Sequence, residues 1–179
     1  MIKADDTQLV ERCLCGEVKA FDILVEKYQK PIFNIVYRMC HDYEDARDLT
    51  QAVFVRVYEK LGSYNSEYKF FSWIYRIAIN ESLNYMGQKK AMSAIPEDYH
   101  SEDNTPVEIL EQVEMTENIN HCLTQIDPKY RALIVLKHFQ NCSYEQISQI
   151  MDLPEKIIKS RLYMARQQLG RVLMKKGVV

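Results

Sequence analysis

The chain has 179 residues, 47% of them hydrophobic and 27% charged, which suits one medium soluble domain or two small ones. Its formal net charge is only −2, and just five glycines and five prolines interrupt it, so helices are expected over a turn-rich β fold. No apolar run approaches the ~20 residues that span a bilayer, residues 1–6 lack a signal-peptide core, and the odd, scattered set of five cysteines makes no disulfide framework; a membrane protein and a secreted disulfide scaffold are excluded, and the cytosol is expected.

The first elements read as two helices broken near Gly16, a residue suited to a C-terminal cap, with Asp5 or Asp6 capping the start. Leu9, Val10 and Leu14 recur at helical spacing, as do Ala20, Phe21, Leu24 and Tyr28. Pro31 fits the start of another helix through Ile32, Ile35, Val36 and Met39. A longer helix is predicted from about Tyr43 to Leu61, with Ala46, Leu49, Val53 and Val57 on its buried face. The opposite face holds Arg47, Asp48, Gln51, Val55 and Tyr58. An apolar patch rimmed by polar groups suggests a protein partner, and scattered surface apolars are the alternative.

After a loop at residues 62–66, a helix over about Phe70–Gln88 is expected to bury Ile74, Ile77, Ala78 and Tyr85. Its second stripe is Trp73, Arg76, Asn80 and Asn84, extended by Lys89 and Lys90. Such a stripe offers amides to base edges, charge to phosphates and an indole for stacking. Trp73, however, reads more readily as core.

Charge then divides the chain. Residues 1–90 carry 13 basic and 13 acidic side chains, residues 91–128 carry nine acids and no base, and residues 129–179 carry ten bases against three acids. Within the acidic zone, residues 91–106 lose periodicity and gather Pro96, Ser101, Asp103, Asn104 and Pro106, the expected linker. Helices are predicted at about Val107–Gln125, Pro128–Phe139, Tyr144–Met151 and Pro154–Lys175, with no internal repeat and no strand-like alternation. An acidic connector before a basic end segment suits a nucleic-acid-binding domain, and equally a solvated helix pair.

The end segment is more specific. Ser143 caps a short amphipathic helix, Asp152-Leu153 makes a tight turn, and Pro154 suits the first position of the next helix. That helix buries Ile158, Leu162, Ala165, Leu169 and Leu173 and sets Lys156, Ser160, Tyr163 and Gln167 on the opposite face, flanked by Lys159 and Arg166. A short helix, a tight turn and a second helix with a basic outer stripe form a helix-turn-helix. In that arrangement Glu155, Lys156, Lys159, Ser160 and Tyr163 face the groove of duplex DNA, while Arg161 and Arg166 take phosphates. An ordinary α-hairpin is the alternative.

Three of the cysteines lie near a histidine: Cys40 beside His41, Cys122 beside His121, and Cys142 four residues after His138. No paired Cys-x-x-Cys or His-x-x-x-His spacing supports zinc, so buried free thiols are expected, with no metal and no cofactor. There is no Gly-rich phosphate loop and no nucleophile motif. Glu44, Asp45 and Asp48 share one turn but suit solvation and partner contacts better than a metal site. No catalytic residue is assigned, and a nucleic-acid enzyme is not expected.

Four segments in order resemble the extracytoplasmic-function (ECF) class of sigma factors in the sigma-70 family. Gly16-Glu17-Val18-Lys19-Ala20-Phe21 is similar to the family's Gly-Asp-x-x-Ala-Phe opening. Ala46-Arg47-Asp48-Leu49-Thr50-Gln51-Ala52-Val53-Phe54 resembles its Ala-x-Asp-Leu-x-Gln-x-x-Phe helix. Trp73-Ile74-Tyr75-Arg76-Ile77-Ala78-Ile79-Asn80 matches Trp-Leu-x-x-Ile-Ala-x-Asn. Ile158-Lys159-Ser160-Arg161-Leu162, then Ala165-Arg166, resembles the Val-Lys-Ser-Arg-Leu-x-x-Ala-Arg recognition helix.

The resemblance implies an all-α protein of two small helical domains: a bundle of sigma region two over residues 1–90, and a helix-turn-helix of sigma region four over residues 107–179, joined by the acidic linker at 91–106. It implies docking on core RNA polymerase through Asp48, Gln51, Phe54, Val55 and Tyr58. It places the opened minus-ten element of promoter DNA on Tyr64, Lys69, Arg76, Asn80, Asn84, Lys89 and Lys90, and the minus-thirty-five element on Glu155, Lys156, Lys159, Ser160, Arg161, Tyr163 and Arg166. It also implies an anti-sigma factor as partner. Three departures stand out: Asp152 replaces a common turn glycine, Lys156-Ile157 stand where Gly-Thr is usual, and Asn84 and Gly87 stand where Asp and Arg are frequent. A helix-turn-helix regulator that does not work as a polymerase subunit is the second reading.

Overall fold

The computed structural model describes residues 5–92 and 118–177, and all the regular structure among them is helical. α1 spans Asp6–Leu14 and is tied to the next helix by one carboxylate. Asp6 accepts hydrogen bonds from Lys27 Nζ at 2.5 Å and Tyr28 Oη at 2.7 Å. Gly16 carries φ +91° in the turn that follows, a conformation that an L side chain resists.

α2 runs unbroken from Val18 to Cys40, so the helix expected to begin at Pro31 does not exist as a separate element. The missing N–H of Pro31 costs one backbone bond, but the buried stripe keeps its phase across it. Ala20, Leu24, Tyr28, Ile32, Ile35, Val36 and Met39 are all buried at three- to four-residue intervals. Tertiary burial outweighs the local penalty there. His41, at φ 56°, ends α2, and Asp42 starts α3 over Tyr43–Lys60 by accepting from Asp45 N at 2.8 Å. A short 3-10 turn, Leu61–Ser63, closes α3.

α4 spans Phe70–Met92, four residues beyond the predicted end. Its burial also differs from expectation. Ile74 and Ala78 are buried as predicted, but Ile77 and Tyr85 are only partly so, while Tyr75, Ile79 and Ser82 are buried. The reason is that α4 packs against α2 and α3 on one side and against elements of the C-terminal half on another. A single-stripe reading assumes one buried face, and α4 has two.

The C-terminal half begins with α5, residues 118–124. The expected start of this helix at Val107 and most of the linker lie outside the described residues. α6, Pro128–Ile134, is capped by Asp127, which accepts from Lys129 N at 2.8 Å, and it continues as a π-helical turn over Val135–Phe139. α7 spans Tyr144–Met151, and α8 spans Glu155–Lys175 with Pro154 just before its first residue. Ser143 forms a full capping box: its Oγ accepts from Gln146 N at 3.1 Å, and Gln146 Oε1 accepts from Ser143 N at 2.7 Å. Apart from Cys122 in α5, the buried apolar residues of both halves join in one continuous core.

Candidate nucleic-acid and protein interfaces

Among the recognition residues of α8, Glu155, Lys156, Lys159, Ser160, Tyr163 and Arg166 are exposed and Arg161 partly so, while Ile158, Leu162 and Ala165 are buried beneath them. The turn that presents this stripe is fixed on both strands of its backbone. Leu153 N donates to Ser148 O at 3.2 Å, and Ser148 Oγ donates to Leu153 O at 2.6 Å. Asp152 holds φ 54°, ψ 48°, which gives the physical reason a glycine is common at that turn position. Lys159 is steered twice, by Glu155 at 3.5 Å and by the Tyr144 ring at 5.3 Å from its Nζ. Lys137 approaches the same ring at 4.7 Å. Arg166 Nε donates to His138 Nε2 at 3.3 Å; burial first, then the nearby Arg166 and Lys137 charges, lowers the His138 pKa.

On α3, Asp48, Gln51, Val55 and Tyr58 are exposed, and Phe54 is half-buried against the core. Val55 and Tyr58 are 59% and 58% exposed, and the Tyr58 ring meets Phe21 edge-on at 5.1 Å. This leaves an apolar strip among charges, with Arg47 held by Glu44 at 3.0 Å and by Asp48 at 3.7 Å. Asp45, predicted to serve solvation, is instead a strut to α4. Lys89 Nζ lies 2.8 Å from its Oδ2. Burial alone would raise the Asp45 carboxyl, but hydrogen bonds from Lys89 and Tyr85 outweigh it and hold the pKa low. Burial and the same carboxylate push the Tyr85 phenol up to about 12.

On α4 the expected stripe divides. Asn80 and Asn84 are exposed, Lys69 is exposed in the loop before the helix, and Lys90 is exposed near its end. Lys89 is exposed too but bonded to Asp45. Trp73 is half-buried in an aromatic cluster, with its ring 5.6 Å from both Tyr64 and Phe70. Tyr64 is fixed in turn by donating to Tyr68 O at 2.6 Å. Arg76 reaches Asp152 of the α7–α8 turn, Nη2 to Oδ2 at 2.8 Å.

Sequence reasoning passed over the groups that join the halves. Arg131 is 5% exposed and donates through Nη1 to Met39 O and through Nη2 to Thr124 O at 2.7 Å. Tyr75 Oη donates to Gln140 Oε1 at 3.3 Å, and the Arg38 guanidinium sits 4.3 Å from the Phe139 ring centroid. The one available signal is an Arg directly abutting the apolar run Ala132–Leu136, where a solvated charge would be out of place.

Residues 24–91 match the family model described as Sigma-70 region 2, and residues 116–169 match the one described as Sigma-70, region 4. The chain is 30% identical over 185 residues to the RNA polymerase sigma-H factor of Pseudomonas aeruginosa, covering 97% of this chain and 96% of that protein. It is also 30% identical over 176 residues to the ECF RNA polymerase sigma-E factor of Escherichia coli K12, covering 92% of each. In fold it is similar to the sigma factor RpoE of Bartonella quintana, solved with the anti-sigma factor NepR. The TM-score is 0.69 at 19% identity, over 87% of this chain and 98% of that one.

Proposed function

The chain belongs to the sigma-70 family and within it to the ECF class, and from that membership we propose how its surfaces divide the work of an alternative sigma factor that directs RNA polymerase to promoters. The observation that carries the proposal is that both family segments occur in order, each with an exposed interaction stripe over a buried face.

Core polymerase docks on α3, with Val55 and Tyr58 burying apolar area while Asp48 and Gln51 satisfy the rim and Phe54 braces the strip from below. The minus-ten element, once unpaired, lies along Tyr64, Lys69, Arg76, Asn80, Asn84, Lys89 and Lys90. Opening the duplex costs about 1.4 kcal/mol of stacking per base step, so this surface must prefer unpaired bases. The helix-turn-helix reads the minus-thirty-five element as duplex, with the N-terminal residues of α8 at base edges and Arg161 and Arg166 on phosphates. Two modest grips on one promoter raise each other's effective concentration. The protein itself carries out no chemistry and works in the cytoplasm. The domain bounds fall near residues 1–90 and 107–179, and an anti-sigma factor holds the protein in reserve.

A regulator that binds DNA without joining polymerase would have no use for the α3 strip. Co-purification with core polymerase separates the two readings. Tyr58→Ala should weaken that association by about tenfold or more, the cost of losing an aromatic anchor. Retention of full affinity by Tyr58→Ala and Gln51→Ala alike would remove α3 from the docking role.

A further inference from the structure

The groove-facing stripe of α8 has two unlike edges. One carries Glu155, Lys159 and Arg166, whose polar heads are engaged with one another, with the Tyr144 ring and with His138. The other carries Ile157 and Met164, 39% and 46% exposed. At about 100° per residue, Ile157 lies about 60° round the helix from Ser160 and about 20° from Met164. Ile157 is not needed in the core, because the fully buried Ile158 fills the space beneath the first turn. Its backbone N–H is bonded to Pro154 O at 2.9 Å, so only the side chain is left to meet a ligand. A β-branched side chain on a helix is held to one preferred rotamer and loses little freedom on binding.

The first turn of a recognition helix meets base edges. Of the groups that base pairs show in the major groove, the amino groups, carbonyls and ring nitrogens are polar, and the C5-methyl of thymine alone is apolar. We propose that Ile157 is a specificity-determining residue that packs on the C5-methyl of a thymine in the minus-thirty-five element, beside the bases reached by Lys156 and Ser160. The inference rests on the reading of α8 as the minus-thirty-five surface. Ile157 is one of the departures from the ECF pattern, so this preference belongs to the chain rather than to the class. A cytosine in the same place would set its amino donor against an apolar side chain that cannot accept, so exclusion adds to attraction. Arg161, one turn further along this edge, takes the phosphate contact that holds the edge to the duplex.

Deoxyuridine lacks only the C5-methyl of thymidine and pairs in the same way, so it removes the contact without altering the hydrogen-bond code. The experiment uses holoenzyme assembled from core polymerase and the full chain, on a promoter mapped by run-off transcription. Each thymine of the upstream element is replaced in turn by deoxyuridine, and the half-saturating concentration is read by fluorescence anisotropy. With the wild-type protein, one replacement should weaken binding about fourfold, the transfer value of one methyl group. Ile157→Ala should bring that ratio to about one and leave the ratios at other thymines alone. Ile157→Val, which keeps the branch, should retain most of the effect, and Met164→Ala, two turns on, should retain all of it. Each ratio compares two duplexes on one protein, so any folding loss in a variant cancels. Equal ratios for wild type and Ile157→Ala at every thymine, or an element without thymine, overturn the contact; the helix-turn-helix reading survives if Lys159→Ala still weakens binding. If neither Lys159→Ala nor any base change in the element alters binding, the minus-thirty-five reading fails, and this contact with it.

Discussion

Asn141, like Asp152 and His41, sits at positive φ, 53° in its case, in the turn between the π-helical segment and α7. Asparagine reaches that region at little cost, whereas alanine does not, so Asn141→Ala should lower stability by about 1 kcal/mol in urea unfolding. Asn141→Gly should not, and equal losses for the two would mean that the side chain rather than the backbone matters. These positions were only half legible in the sequence. Asp152 stood out because the family favours glycine there, whereas Asn141 carries only the general tolerance of asparagine for that region and His41 was not singled out. The polar stripe of α8 was readable because exposure on a helix follows from spacing alone. The partner of Arg76 was not, since Asp152 lies 76 residues away and only the tertiary fold brings them together.

At the scale of elements, capping and periodicity predicted α7 to the residue, because Ser143 and Gln146 encode its start locally. Ser143→Ala opens the capping box, leaving the first N–H groups of an eight-residue helix without a side-chain acceptor. The expected loss is about 1 kcal/mol. Because α7 supports the turn beneath α8, DNA binding should fall only in proportion to unfolding, a relation that fluorescence anisotropy on duplex DNA against temperature would test. Failures at this scale share one cause. Pro31 lies inside α2, and α4 is buried on two sides, because packing between elements overrode a local signal in both places. The π-helical turn at Val135–Phe139 belongs with them. It delivers Phe139 to Arg38 and is followed by Gln140 against Tyr75, contacts set by the other half of the molecule.

For the whole molecule, the consequence is coupling. Burial lowers the pKa of Arg131 because charge is costly there, and the guanidinium is retained through carbonyl acceptors from both halves. Arg131→Met would leave those carbonyls unsatisfied and should cost about 3 kcal/mol. Trp73, in the other half, should report that loss in the same single unfolding transition, because the core is continuous. A second, unshifted Trp73 transition would show the halves unfolding separately. The central claim is that this chain turns core polymerase toward particular promoters, and run-off transcription on genomic fragments of its host tests it most directly. Discrete transcripts should appear only when the protein is added. They should fall about five- to a hundredfold with Asn80→Ala and with Lys159→Ala, the range of one lost base contact. Binding of the fragments without any transcript, or transcripts indifferent to both substitutions, would contradict the account.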